Sequence, residues 1–411
     1  MNRWTRWSGA LLCLAATSAA QAQSCRLQTQ TLNLPLVSGN MPKYAYQVRV
    51  QVGTAATSAN AAAAAGQVLE VDTGSTGVVV PLSAAIQQAW DASTTPGYIF
   101  YSSDSKYHPG KYVQVPMRLG VSADGKSAAA RIDSIEVLAA QCTCDVVATT
   151  SAAALGQVPD NCPAYNGSLA LGSGGKQMLR NCQTISPGFG MMGVGYDRGV
   201  PAARNPFLNL AQMRAGSMSP GYIVSASGIT LGVSEQALNG FALIPLQRTA
   251  ASATVNGDWQ APNACARFPD SGSDYQVCGK LLPDTGIGYM MLTPTAQPPV
   301  PAKLQQKLGT AAKSASAASG NAAGATAATA LVVPAQTPMT LDIGPAGQPV
   351  FSYRFTVGGN APATPDSVQW RGPLKTPPAH INSGRHVLAA ADYAYDAACG
   401  RAGFREVTAT P

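Results

Sequence analysis

The residues best suited to chemistry are two aspartates, Asp72 and Asp284, because each begins a copy of the triplet Asp-Thr-Gly. Apolar segments flank both copies, with residues 78–80 following the first and residues 289–292 following the second. Buried strands on both sides of a tight turn would place each carboxylate at a loop tip. Two carboxylates held close together do not both ionise easily, so one keeps a proton as an acid while the other acts as a base. The duplication therefore predicts a pair that can activate water.

The neighbours of these aspartates are of types that could support such a pair. Gly74 and Gly286 would let the backbone turn tightly and bring its N–H donors close to each carboxylate. The hydroxyls of Thr73 and Thr285 could each bond to the opposite loop. We therefore expect the triplets to act as two interlocked loops.

The rest of the chain indicates the elements that position these loops. Polar and apolar residues alternate over 46–53, 112–115 and 132–137, which is typical of half-buried strands. Gly and Pro turns separate many such short segments, so we expect an all-β fold. The best helix candidates are short, and they are residues 83–90, 205–213 and 302–308.

Two segments of low complexity, 55–66 and 311–330, are predicted to be exposed loops. An alanine-rich helix is the alternative for each. It is disfavoured in the second segment by Gly320, Asn321 and Gly324.

The first 22 residues are typical of a secretory signal peptide. Arg3 and Arg6 precede a mostly apolar stretch, and Ala20-Gln21-Ala22 fits a small-x-small cleavage site. No other apolar run is long enough to span a membrane. The sequence therefore predicts a periplasmic or secreted protein.

Cysteine count and charge agree with export. Removal of the signal leaves eight cysteines, an even number that favours disulfides over metal ligands or a catalytic thiol. It also leaves 25 basic and 20 acidic residues, a mild charge of +5. The basic residues are scattered, so we expect no nucleic-acid partner and no membrane surface partner.

The order of further motifs resembles that of the pepsin-like aspartic peptidases over nearly the whole mature chain. Besides the two triplets, the matching segments are residues 190–196, 230–232, 240–245, 381–384, 392–396 and 401–404. The resemblance implies an all-β, bilobal, pepsin-like fold, with β-barrel-like lobes at 23–242 and 243–411 and a cleft between them.

The resemblance also implies roles for the site residues. Asp72 and Asp284 would be catalytic, and Thr73, Gly74, Ser75, Thr285 and Gly286 would support them. The substrate would be a peptide or protein, the chain a monomer, and neither a cofactor nor a metal would be needed.

The resemblance bears on the disulfides as well. A small loop closed by Cys265 and Cys278 precedes the second triplet in many animal members. The chain ends of this fold meet in one sheet, so Cys25 could reach Cys399. The remaining four, Cys142, Cys144, Cys162 and Cys182, would pair among themselves in an order that the sequence leaves open.

Three positions depart from the family pattern. The residue after each triplet is usually Ser or Thr, and it donates to the outer carboxylate oxygen; Ser75 conforms, whereas Ile287 has no donor. We predict that the flap strand is 113–119, where Met117 replaces the flap tyrosine and Val79 its tryptophan partner. Four tyrosines could substitute, and none is assigned: Tyr98, Tyr101, Tyr107 and Tyr112.

These departures leave a rival hypothesis, a non-catalytic binding protein on the same fold. A serine hydrolase and a zinc site are disfavoured, because the chain has only three histidines and no Gly-x-Ser-x-Gly turn. His108 is predicted to lie in a polar turn. A glycoside hydrolase would need a wider carboxylate separation than this fold implies.

Overall fold

The structure is a computed structural model, and it describes residues 25–41, 43–56, 66–101, 103, 105–148, 177–249, 258–269, 275–307 and 331–407. The predicted signal peptide and the loop 311–330 lie outside the described residues, as does most of the predicted loop 55–66. Within the described part, no helix is both long and apolar enough to cross a membrane.

Strands dominate the described chain. Those of the first half are β1 Leu32–Leu34, β2 Ser38–Asn40, β3 Tyr44–Val52, β4 Gln67–Asp72, β5 Thr76–Pro81, β6 Pro96–Tyr101, β7 Lys106–Val121, β8 Ala128–Ala140, β9 Cys142–Ala148, β10 Gln177–Thr184, β11 Met191–Val194, β12 Ser219–Ser225, β13 Gly228–Val233 and β14 Ala242–Pro245. Those of the second half are β15 Asn263–Arg267, β16 Gln276–Leu282, β17 Met290–Thr293, β18 Gln306–Lys307, β19 Leu331–Val332, β20 Pro338–Ile343, β21 Phe351–Thr356, β22 Val368–Trp370, β23 Ala379–Asn382, β24 Ala391–Asp396 and β25 Arg401–Glu406.

The helices are short. They are α1 Gln87–Ala92 and α2 Ala211–Arg214, with single 3-10 turns at Gly53–Ala56, Ala202–Arg204, Pro206–Leu208, Ala302–Leu304 and Arg385–Ala389. The three predicted helices were therefore wrong in extent: 83–90 contains only the start of α1, 205–213 breaks into two pieces, and 302–308 turns into β18 after one 3-10 turn. The three predicted strands are confirmed, since they lie within β3, β7 and β8 apart from the last residue of the first.

A large sheet holds most of the first half of the chain, in the strand order β10-β9-β7-β8-β5-β11-β4-β3-β2, with β6 paired to β7. A second sheet holds most of the second half, in the order β18-β19-β22-β17-β23-β16-β15-β20-β21.

The two large sheets repeat one motif. In the first, β11 runs parallel to β4 and antiparallel to β5, and β5 runs parallel to β8. In the second, β23 runs parallel to β16 and antiparallel to β17, and β17 runs parallel to β22. Each triplet begins at the end of the first strand of its motif or two residues beyond it, so the two halves are related lobes.

A third, six-stranded sheet joins the lobes, in the order β1-β13-β12-β24-β25-β14. In the middle of this sheet, β12 from the first lobe pairs with β24 from the second. The predicted fold class, an all-β and bilobal architecture with a cleft between related lobes, is confirmed. The predicted lobe boundary between residues 242 and 243 stays a prediction.

The core is continuous between the lobes. One cluster of buried apolar side chains includes Val48 and Val50 of β3, Met290 and Leu292 of β17, and Tyr393 of the joining sheet. Aromatic rings connect the layers, since Tyr196 stacks on Tyr395 with ring centroids 3.8 Å apart. The lobes are therefore packed into one body rather than tethered by a linker.

Three disulfides join described cysteines: Cys25–Cys399, Cys144–Cys182 and Cys265–Cys278. The first and third confirm the two specific predictions. Cys142 is also disulfide-bonded, whereas Cys162 lies outside the described residues.

Candidate active site

Asp72 and Asp284 lie at the centre of the molecule, where the two large sheets approach each other. Asp72 ends β4, and Asp284 follows β16 by two residues. Both side chains are buried, with 5% and 6% of their surfaces exposed, and they are close enough to share a hydrogen bond. The repeated motif thus brings together two carboxylates that are 212 positions apart in the chain.

The two threonines lock the loops together by crossed hydrogen bonds. The backbone N–H of Thr73 donates to Oγ1 of Thr285, and the backbone N–H of Thr285 donates to Oγ1 of Thr73, both over 2.9 Å. Each hydroxyl then donates to a carbonyl beyond the crossing, at Pro283 and at Val71, over 2.5 and 2.7 Å. Because all these groups are buried, breaking one bond would leave an unpaired polar atom, and the separation of the aspartates is therefore fixed.

The glycines allow the loops to meet. A Cβ atom on Gly74 would overlap the carboxylate of Asp284, and a Cβ atom on Gly286 would come within 2.7 Å of Oδ1 of Asp72. Each glycine also donates its backbone N–H to the aspartate of its own triplet, over 2.6 and 2.8 Å.

The outer oxygens of the pair find donors of different kinds. Ser75 donates its hydroxyl to Oδ2 of Asp72 over 2.5 Å. Ile287 occupies the equivalent position beside Asp284 and offers no hydrogen bond from its side chain. Oδ2 of Asp284 instead accepts the side-chain amide of Asn382 over 2.6 Å, from the end of β23.

Burial and the neighbouring carboxylate both raise the pKa of Asp72. Burial raises the pKa of Asp72 well above its usual range, and the charge of Asp284 raises it further, although the Ser75 hydroxyl and the Gly74 N–H act in the opposite direction. Asp72 therefore keeps its proton at a pH where an exposed aspartate would have lost it.

The pair lies on the floor of a cleft of about 870 Å³ between the lobes. The β6–β7 hairpin and the loop at 198–204 line it from the first lobe, and residues 286–293 from the second. Basic side chains also line it: Arg198, Arg204, Arg371 and Arg385. A volume of this size is in the range of clefts that bind small molecules and short peptide segments.

The predicted flap was wrong. Residues 113–119 lie within β7 and lead to a turn at 122–127 that does not line the cleft. The hairpin that covers the cleft is β6–β7, in which Tyr101 pairs with Lys106 at its tip end. Tyr98, Tyr101 and Tyr112 line the cleft, whereas Tyr107 is fully buried behind it.

The tip of this hairpin contacts the second lobe. Tyr289, which follows the second triplet, donates its hydroxyl to the backbone carbonyl of Ser103 over 3.1 Å. The hairpin is thus tied across the cleft by a residue that sequence reasoning did not select. The sequence offered one indication of its importance, which is its position five residues after Asp284.

The histidines play no part in the pair itself. His108 lies in β7 and is 2% exposed, so the predicted polar turn was wrong; burial lowers its pKa to about 4, and its ring stacks on Phe189. His380 lines the cleft, and burial together with the charge of Arg198 lowers its pKa to about 4. Among the described residues, no three His, Cys, Asp or Glu side chains are grouped to hold a metal ion.

Over most of its length the chain is similar to one solved structure, that of the aspartic proteinase from Irpex lacteus. The match covers 92% of this chain and 97% of the other, with 15% sequence identity and a TM-score of 0.46. No family model matches the chain, and no curated protein matches it. The roles of individual residues therefore depend on the geometry of the chain itself.

Proposed function

We propose that the protein is an exported aspartic-type endopeptidase. The observation that carries this is the buried pair of Asp72 and Asp284, locked by crossed threonine bonds on the floor of a peptide-sized cleft. The raised pKa of Asp72 supports a shared proton in weakly acidic solution. The three disulfides and the predicted signal peptide support export.

The mechanism needs only the chain's own groups. A water molecule between the carboxylates gives a proton to the ionised one while its oxygen bonds to the carbonyl carbon of the peptide. The protonated carboxyl group donates to the carbonyl oxygen, which gives a tetrahedral diol. As the C–N bond of the diol breaks, the protonated member of the pair gives its proton to the leaving nitrogen, and one diol hydroxyl gives its proton to the other member, so the pair again holds one proton. No covalent enzyme intermediate forms.

The test is cleavage of a mixed peptide library by the mature protein between about pH 3 and 7. We expect Asp72→Asn and Asp284→Asn each to lower kcat/KM by about a hundredfold to ten-thousandfold, because either change removes the acid or the base. A statine-type inhibitor should block the wild type. Activity should fall as the pH rises through the raised pKa of Asp72, since the pair then loses its shared proton.

Asp342→Asn is the matched control. Asp342 is also buried and accepts a serine hydroxyl, from Ser352 over 2.6 Å, but it lies on β20 outside the cleft. A folded wild type that cleaves nothing at any pH would overturn the proposal and favour a binding protein on the same fold.

A further inference from the structure

The repeated motif gives each residue beside one aspartate a counterpart beside the other. Ser75 and Ile287 both stand three positions after their aspartates. In the pairing of the strands, Met191 faces Val79 in the first lobe, and Asn382 faces Met291 in the second. Val79 and Met291 both stand seven positions after their aspartates, so Met191 and Asn382 are counterparts.

The side chain that donates to Oδ2 of the aspartate therefore comes from a different element in each lobe. The first lobe has a donor directly after the triplet, Ser75, and an apolar residue on the neighbouring strand, Met191. The second lobe has the reverse arrangement, with Ile287 after the triplet and Asn382 on the neighbouring strand.

The orientation of the Asn382 amide is fixed by its own contacts. Its Oδ1 accepts the backbone N–H of Gly384 over 2.9 Å, which leaves Nδ2 to face Oδ2 of Asp284 over 2.6 Å. The side chain is 3% exposed, so water does not compete for either bond. A rotation of the amide by 180° would bring two oxygens together at Asp284 and two N–H donors together at Gly384.

This difference in donors breaks the symmetry of the pair. A serine hydroxyl can donate to an ionised carboxylate or turn to accept from a protonated one, whereas an amide N–H can only donate. Hydrogen bonds from a fixed donor stabilise the ionised form of a carboxyl group. We propose that Asn382 is a positioning residue that holds Asp284 as the ionised member, so that Asp284 is the base and Asp72 the acid.

This inference rests on the proposed function and gives its steps a direction. Asp284 takes the proton from water as the water oxygen bonds to the carbonyl carbon, and the proton of Asp72 passes to the carbonyl oxygen. The pair ends this step with the proton on Asp284. As the C–N bond breaks, Asp284 gives that proton to the leaving nitrogen and a diol hydroxyl gives its proton to Asp72, which restores the starting state.

Other charged or titratable groups face the pair from the elements packed around it. Arg385 donates to the carbonyl of Thr285, the residue after Asp284, over 3.0 Å. The other groups are Asp366 beside Gly288, Tyr222, which interacts electrostatically with Asp72, and the cleft residues Tyr98, Tyr101, Tyr112, Tyr289, His380, Arg198, Arg204 and Arg371. None of them donates a hydrogen bond to either aspartate among the contacts of the described residues.

The first test removes the donor and then restores it from the other element. We expect Asn382→Leu to lower kcat by about tenfold to a hundredfold with little change in KM, because the Asn382 amide is 3% exposed and already bonded to Asp284 and Gly384. Adding Ile287→Thr to this variant should recover most of the loss, since it supplies a hydroxyl where Ser75 stands in the first lobe. Ser383→Ala is the control: this neighbouring side chain is fully buried and bonds only to backbone carbonyls.

The second test replaces the Asn382 amide by a carboxyl group of nearly the same shape, which can ionise. Asn382→Asp retains an acceptor for Gly384 but places a third carboxyl group against Asp284. We expect its activity to fall steeply as that group ionises and to recover toward lower pH, whereas a purely structural defect would lower activity equally at all pH values.

A third readout does not require activity. Carbon-13 NMR of labelled aspartate carboxyls, assigned with Asp72→Asn, follows ionisation of the pair against pH. In Asn382→Leu the first ionisation of the pair should move to higher pH and return with Ile287→Thr. If Asn382→Leu titrates like the wild type, the inference is overturned even when the enzyme is active. If the titration of Asn382→Leu is shifted but the wild type cleaves no peptide, the effect of Asn382 on Asp284 is retained and the proposed function fails.

Discussion

At the scale of single residues, the pair of aspartates costs stability at neutral pH. The folded state holds a proton on Asp72 above the pH at which the unfolded chain, with an ordinary value of 3.8, has released it. The folded protein therefore binds more protons than the unfolded chain from about pH 4 upward, and its stability falls as the pH rises through the raised pKa of Asp72.

We expect Asp72→Asn to relieve this cost. The variant should be more stable than the wild type at pH 7, by about 1 kcal/mol or more, because it removes the repulsion and the burial of a charge. The difference should shrink toward pH 4. Thermal unfolding of both proteins across this range measures it, and a variant that is less stable at pH 7 would contradict the prediction.

The carboxylate pair could be predicted from residue types because each triplet is recognisable from a few consecutive residues. Asp72 and Asp284 could be found from two short segments with apolar flanks, and the crossed threonine bonds follow from the same segments. Asn382 could not be found in this way. It stands 98 positions after the aspartate that it contacts, and only the pairing of β23 with β16 and β17 brings the two together.

At the scale of elements, the β6–β7 hairpin is the part of the first lobe that is bonded to the second lobe across the cleft. Its inner face lines the cleft, and its tip is bonded to Tyr289 of the opposite lobe. A substrate that enters between the hairpin and the pair has to pass this contact.

We predict that Tyr289→Phe loosens the hairpin. One hydrogen bond contributes about 1 kcal/mol, so amide hydrogen exchange within β6 and the facing part of β7 should accelerate by about fivefold. Mass spectrometry of exchange in these peptides is the measurement. Tyr44→Phe serves as the control, because Tyr44 is 49% exposed on β3; equal exchange in the wild type and Tyr289→Phe would argue against a restraining contact.

The wrong flap and the wrong helices have separate physical causes. β7 is 16 residues long, and it forms one hairpin with β6 and another with β8. Alternation along 113–119 identifies the strand but says nothing about which hairpin covers the cleft. The helix candidates had apolar residues at helical spacing over little more than two turns, and packing against the sheets cut them shorter.

At the scale of the whole molecule, the six-stranded sheet makes the lobes interdependent. Its strands come from both halves, and a disulfide between Cys25 and Cys399 fixes both chain ends to it. The contact between Cys25 and Cys399 could be predicted from the sequence, because the family resemblance implied that both chain ends lie in one sheet.

Chain entropy predicts unequal contributions from the disulfides. Cys25 and Cys399 are 374 positions apart, whereas Cys265 and Cys278 are 13 apart. Replacing the first pair by alanine should cost about 6 kcal/mol, and replacing the second about 3 kcal/mol. Guanidinium unfolding of the two double variants checks the order, and an equal or reversed loss would show that constraint of the unfolded chain is not the main effect.

The bond between Cys25 and Cys399 also turns the chain from 25 to 399 into a covalent ring. One proteolytic cut anywhere between these cysteines opens the ring but releases no fragment until the disulfides are reduced.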